Sequence, residues 1–320
     1  MFGVFSHCFN NCVEIFIFLL TIYIMYFEQL IKELNENSTL DKCLSSIINP
    51  FSLYYLCDHY YGDEIKRRNI PIQINKNDLK INKDISKIKE GDIIHCEVNY
   101  LREFYNEILD KIETKIVLTT GQWHGRVVGN CELLNEKILI HKNLLLWVSQ
   151  NPIYDNSDKY IAFPYGIAHY SIKEYADFLI SNSTFEKNKE LICLPMNTIT
   201  NDCRKKLPNL PLICFSEYCK QIASSKFILS PIGDRDDCYR HYEAIGLGTI
   251  PVSNVDNFHK NIFLTNMIYK NIDEMVNMLE NDSVNINYEE PNKDLICFEY
   301  YKNIVYKLLK DTKNINKYND

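Results

Sequence analysis

Residues 226–254, KFILSPIGDRDDCYRHYEAIGLGTIPVSN, bring together the side chains of this chain best suited to chemistry. Ser230, Gly233, Asp234, Asp236 and Asp237 fall in a loop between an apolar run and a helix-patterned segment. The start of a helix presents unpaired N–H groups and the positive end of the helix dipole, so such a loop favours an anion. Arg240 and Glu243 follow three residues apart on one helical face, with the small Ala244 beside them. A guanidinium there can hold a phosphate, and a carboxylate can accept hydrogen bonds from hydroxyls. By themselves the two residues could equally be a solvated ion pair contributing a few tenths of a kcal/mol. Asp234-Arg235-Asp236 is also a DxD triad, the arrangement by which paired carboxylates hold a divalent cation.

These groups need a strand before the loop and a helix after it. Lys226–Leu229 is apolar enough for the strand, and Asp236 or Asp237 is placed to cap a helix beginning near Cys238. Gly248 suits the helix stop and Thr249–Val252 the next strand. Upstream, Phe51–Cys57 reads as a short buried strand, His59–Arg68 as a polar loop, and Lys76–Glu90 as solvated surface. Gly91–Val98 reads as a strand, Leu101–Ile112 as an amphipathic helix and Lys115–Thr120 as another strand. Leu144–Gln150 and Tyr160–Phe163 continue the strands, and Ser171–Ser181 reads as a helix. A second sheet opens at Glu190–Pro195. The alternation predicts an α/β protein with parallel sheets, whose functional loops follow the carboxyl ends of the strands. The loop Thr119–Gly125, TTGQWHG, presents His124 there; His169 follows PYGIA, and His95 lies inside a strand as an expected core histidine. Phe298–Lys310 has the spacing of an amphipathic helix.

The chain has 320 residues, enough for two domains, and a net charge of -7 excludes a general nucleic-acid binder, which needs a concentrated basic surface. Twelve cysteines are scattered without CxxC or zinc spacing, several inside apolar runs, and read as free core thiols. Residues 13–27, VEIFIFLLTIYIMYF, fall short of the ~20 residues of a bilayer-crossing helix. The polar stretch that follows favours a short membrane anchor over a buried helix. No GxGxxG follows a strand and no GxxxxGK[ST] occurs, which argues against a Rossmann oxidoreductase.

Phe227, Leu229, Pro231, Gly233, Asp237, Arg240, Glu243, Ala244, Ile245, Gly248, Ile250, Pro251 and Val252 stand in the order of the core motif of exostosin-like glycosyltransferases, which this stretch resembles. LLLWVSQNP with YIAFPYGI, and LPMNTITNDCRKKL with Arg204, are similar to further segments of that family, so the resemblance covers about Gly91–Leu279. It implies a GT-B fold: two Rossmann-like domains facing across a cleft, with a C-terminal helix crossing back to the first. The corresponding boundaries are an apolar segment at 1–27, an acceptor domain at 28–180, a nucleotide-sugar domain at 190–290, and a helix and tail at 291–320. It implies transfer of a sugar from a nucleoside diphosphate donor to an acceptor hydroxyl on a glycan or glycoconjugate, with inversion. Arg204, Ser230, Gly233, Asp237, Arg240 and Glu243 would bind donor, Arg240 would also act in catalysis, and His124 is the candidate general base. The DxD sits in the wrong context for the metal-dependent class, so no cofactor or divalent metal is expected and Arg240 takes the cation's place. GQWHG departs from the family's loop, which leaves a non-catalytic glycan- or nucleotide-binding protein as the alternative.

Overall fold

The structure is a computed structural model and describes residues 26–63, 76–121, 132–182, 185–281 and 284–316. It contains two parallel sheets. The first has the order β2-β1-β3-β4-β5-β6, from β1 (His59–Tyr61), β2 (Asn77–Asp78), β3 (Ile93–Glu97), β4 (Ile116–Gly121), β5 (Leu144–Ser149) and β6 (Tyr160–Ala162). The second has the order β10-β9-β8-β7, from β7 (Lys189–Ile192), β8 (Ser225–Leu229), β9 (Ile250–Ser253) and β10 (Ile268–Tyr269). Mixed α/β architecture with all-parallel sheets is the Rossmann-like pattern that the sequence predicts. β3, β4 and β5 are buried at every position, so their apolar residues fall in runs rather than in alternation, and the polar His95, Glu97, Thr119 and Thr120 are buried with them.

Five helices position the site: α1 (Ile172–Ser181), α2 (Phe215–Ala223), α3 (Tyr239–Gly246), α4 (Asn257–Phe263) and α5 (Phe298–Asn316). α1 and α2 pack on each other, and α3 rests on β9 and on the turn at Lys293–Ile296. α5 then returns to the first sheet, packing on β5, with Tyr301 in ring contact with Phe163 at 5.4 Å between centroids. One apolar cluster runs from Leu30 through Val148 and Ile228 to Leu309, so both sheets share a core.

Three local expectations are corrected. Ser52–Leu56 is a helix, not a strand. The Asn49 side chain there binds the carbonyls of Leu44 and Ile47 and accepts from Phe51 N, turning the chain into a helical start that apolarity alone does not reveal. His59–Tyr61, expected as part of a polar loop, is a buried strand between β2 and β3. Its histidine can be buried because Nε2 meets Asp92 Oδ2 at 2.8 Å. Asp236 and Asp237 do not cap α3: the N-cap is Cys238, without a side-chain cap hydrogen bond. In the segment expected as solvated surface, Leu79 is buried. The Leu101–Ile112 helix is present, with a π turn at Tyr105–Leu109.

Gly248 ends α3 at φ +70, a left-handed conformation. A Cβ there would also stand 2.6 Å from the mobile end of Glu290. Gly248→Ala is expected to lower stability by about 1–2 kcal/mol, read as a shift in urea midpoint with unchanged slope.

No helix among the described residues is long and apolar enough to cross a membrane. Residues 13–25 of the expected anchor lie outside the described residues.

Candidate functional site

A cavity of about 530 Å³ opens where loops at the carboxyl ends of β7 and β8 meet Tyr165 and Tyr170 from the chain after β6. Arg204, Asp237, Arg240 and Glu243, four of the residues singled out in the sequence, line it.

Arg240 and Glu243 are not a surface ion pair. The Tyr218 hydroxyl stands between them, donating to Glu243 Oε2 at 2.7 Å and accepting from Arg240 Nε at 3.2 Å. Arg240 Nη2 donates to the Pro195 carbonyl, and among the described residues no protein hydrogen bond engages Nη1. A guanidinium fixed along one edge, with donors left over on a cavity wall, is suited to grip an anion. Burial lifts the Glu243 carboxyl to about 7, against the Tyr218 hydrogen bond and the Arg240 charge.

That lift has a sign in stability. The folded state holds the proton more tightly than the unfolded chain, where the carboxyl titrates near 4.5. The contribution is therefore fully present below 4.5 and is lost as pH rises through about 7. Glu243→Gln, which keeps an acceptor for Tyr218, should gain on the order of 2–3 kcal/mol relative to the wild type between pH 4.5 and 8. Urea unfolding across that range measures it.

Arg204 is placed differently from its expected donor role. Nε and Nη2 donate to the carbonyls of Ile232 and Pro231 at 2.9 Å, and Nη1 reaches the Asn197 carbonyl and Thr200 Oγ1 at 3.2 Å. Its fork clamps the loop after β8 to the loop after β7. A Cβ at Gly233 would come within 2.9 Å of Arg204 Nη2, so the group that approaches this glycine closely is the arginine. Ser230 is fully buried behind the wall, its N–H paired with Val252 O.

Asp237 is also fully buried, and its oxygens are engaged: Oδ2 accepts from Tyr165 N at 2.8 Å and Tyr242 OH at 2.9 Å, and Oδ1 from Arg235 Nη2 at 3.3 Å. Arg235 continues to the Gln150 carbonyl at 2.6 Å, with its guanidinium 3.7 Å from the centre of the Tyr165 ring. Arg235 and Asp237 thus clasp the loop after β8 to the loops after β5 and β6.

The DxD does not act as a unit, because Arg235 points into this clasp while Asp234 is exposed. Asp236 instead approaches Asp256 and His259, whose ligand-type atoms lie within 4.8 Å of one another. His259 Nδ1 meets Asp256 Oδ1 at 2.7 Å, and Nε2 lies 3.6 Å from Asp237 Oδ1. Burial opposes the charge on this ring, but the three carboxylates outweigh it and hold its pKa above the ordinary value. A ring that holds its proton more tightly than an ordinary histidine offsets part of the carboxylate charge gathered here.

Of the histidines, His124 lies outside the described residues. His95 is buried against Tyr54 and bonded to Thr119 Oγ1, and burial pushes its pKa down to about 3. His169 packs edge-on to Phe51 and Tyr170. Sequence reasoning missed the aromatic lining: Tyr165 stacked on Tyr239 at 5.5 Å, and Phe215 on Tyr218 at 5.8 Å. With 22 tyrosines in the chain no single one stands out, although Tyr165 lies within the PYGI turn.

Residues 187–262 match the family model described as the RXYLT1 C-terminal domain. No curated protein matches the chain. The match takes in β7, β8, β9 and most of the cavity wall, and leaves the first sheet outside it. It supports a glycosyltransferase-type family for the segment that carries Arg204, Arg240 and Glu243.

Proposed function

We propose that the protein is a glycosyltransferase that moves a sugar from a nucleoside diphosphate-sugar to a hydroxyl of a glycan or glycoconjugate, with inversion and without a divalent metal. The observation that carries this reading is the cavity in which Arg240 and Glu243 converge, at the carboxyl ends of parallel strands and within the segment matching the RXYLT1 C-terminal domain. Arg240, braced by Pro195 and Tyr218, offers Nη1 to the diphosphate and compensates the charge that grows on the leaving group as the glycosidic bond breaks. Glu243 accepts from ribose hydroxyls, and the tyrosine and phenylalanine faces give the base and sugar apolar surface. Arg204 and Asp237 act on the donor through the loop they hold.

In this reading the halves form a GT-B pair, with residues 28–180 presenting the acceptor, 190–290 the donor, and 291–320 returning to the first half. His124, which follows β4 in the chain, is the proposed general base. Residues 13–27 associate the protein with a membrane. The test is titration calorimetry with a panel of nucleoside diphosphates, followed by donor-hydrolysis and transfer assays. Binding with turnover supports the proposal; binding with no turnover supports a non-catalytic sugar-nucleotide binder; no binding rejects both.

A further inference from the structure

Cys238 takes no part in the proposed transfer, yet it is the N-cap of α3 and lines the same cavity, half-buried. Its Sγ lies 3.6 Å from Ser230 Oγ. Behind it stands His241, fully buried and edge-on to Phe263 at 5.3 Å. His241 Nε2 is 2.8 Å from the Ser230 carbonyl and 3.0 Å from Ser253 Oγ. A carbonyl can only accept, so in the neutral ring Nε2 carries the proton and Nδ1 presents a lone pair. That Nδ1 is buried without a hydrogen-bond partner, and it belongs to the residue one helical turn along α3 from the thiol. The arrangement is that of a nucleophile, a base, and a third group that orients the base.

We propose that Cys238 and His241 form an activated thiol pair, and that Cys238 is a site of covalent modification by small soft electrophiles that enter the cavity. The helix start favours a thiolate at this position. Burial works against the anion, but His241, Arg204 and Arg240 outweigh it and bring the thiol down to about 6. Elsewhere in the core burial alone dominates, and Cys43 and Cys57 are pushed up to about 11 and about 12. With an alkyl halide, the thiol proton passes to His241 Nδ1, sulfur bonds to the carbon, and the halide leaves with the pair of the broken carbon–halogen bond. The product is a thioether beside Arg240 and Glu243. That this adduct excludes donor rests on the functional reading above; the reactivity itself does not.

The intact protein is treated with iodoacetamide at pH 6, and labelling at each cysteine is followed by peptide mass spectrometry. The exposed Cys214 is the internal reference. The larger thiolate fraction of Cys238, offset in part by the lower nucleophilicity of a low-pKa thiolate, predicts labelling about 10-fold faster than that of a free cysteine in a model peptide, and ahead of Cys214. His241→Gln, which can still donate to the Ser230 carbonyl, should abolish that advantage. Labelling of Cys214 ahead of Cys238, or an unchanged Cys238 rate in a folded His241→Gln variant, overturns the proposal. If that variant does not fold, the wild-type ranking of the two cysteines decides. Saturating uridine diphosphate should slow labelling at Cys238. Fast labelling that no nucleoside diphosphate slows sustains the thiol pair and counts against the donor reading.

Discussion

Arg240→Ala is expected to reduce kcat/KM for sugar transfer by about 10²–10³-fold, the scale of removing one preorganised charge-stabilising donor. The loss should fall on kcat more than on KM, because charge on the leaving diphosphate is greatest in the transition state. Folding should survive. The substitution removes hydrogen bonds to the Pro195 carbonyl and the Tyr218 hydroxyl, and Tyr218 keeps Glu243 as its acceptor. A stability loss of about 1–2 kcal/mol is consistent with that change. Arg240→Lys should restore little, since one ammonium cannot span Pro195, Tyr218 and a phosphate as the planar fork does. Steady-state kinetics beside urea unfolding separates the two effects, and unchanged turnover in Arg240→Ala removes this residue from the mechanism.

Asp237→Asn is expected to lower stability by about 3–5 kcal/mol, the cost of leaving a buried charge without its partner. The carboxylate has no exposed surface and holds Tyr165 N, the Tyr242 hydroxyl and Arg235 together. Arg235, itself only 7% exposed, would retain the Gln150 carbonyl and the Tyr165 ring face. Replacing both members, as in Asp237→Asn with Arg235→Met, should recover part of the loss because neither charge then remains buried. Urea midpoints of the single and double variants give the coupling directly. A near-neutral Asp237→Asn would mean that the clasp does not join the halves as described.

These residues also mark how far the sequence can be read. The 226–254 unit is legible because each piece has a local cause: an apolar run for β8, a Pro/Gly/Asp loop, helical spacing for α3, and a left-handed glycine at 248. The placement of Arg240 and Glu243 on one wall follows from that local geometry. Asp237 could not be assigned in the same way, because its partner Tyr165 is 72 residues away and Arg235 reaches Gln150 across 85. Arg204 illustrates the same limit, since its donors meet carbonyls of a loop 27 and 28 residues on. Residues 51–57 show a different one: a short apolar run fits a buried strand or a buried helix, and the Asn49 turn decides. Cys238 looked like another scattered thiol; His241 stands one helical turn on in the sequence, but only the fold shows its Nδ1 buried without a hydrogen-bond partner.

The claim on which the account turns is that the cavity beside Arg240 is a nucleoside diphosphate site. A crystal structure of the protein soaked with uridine or guanosine diphosphate tests it most directly. The account predicts density in that cavity, with diphosphate oxygens within hydrogen-bond distance of the Arg240 guanidinium and ribose hydroxyls at Glu243. Ligand bound elsewhere, or a cavity still empty at saturating nucleotide, would contradict it.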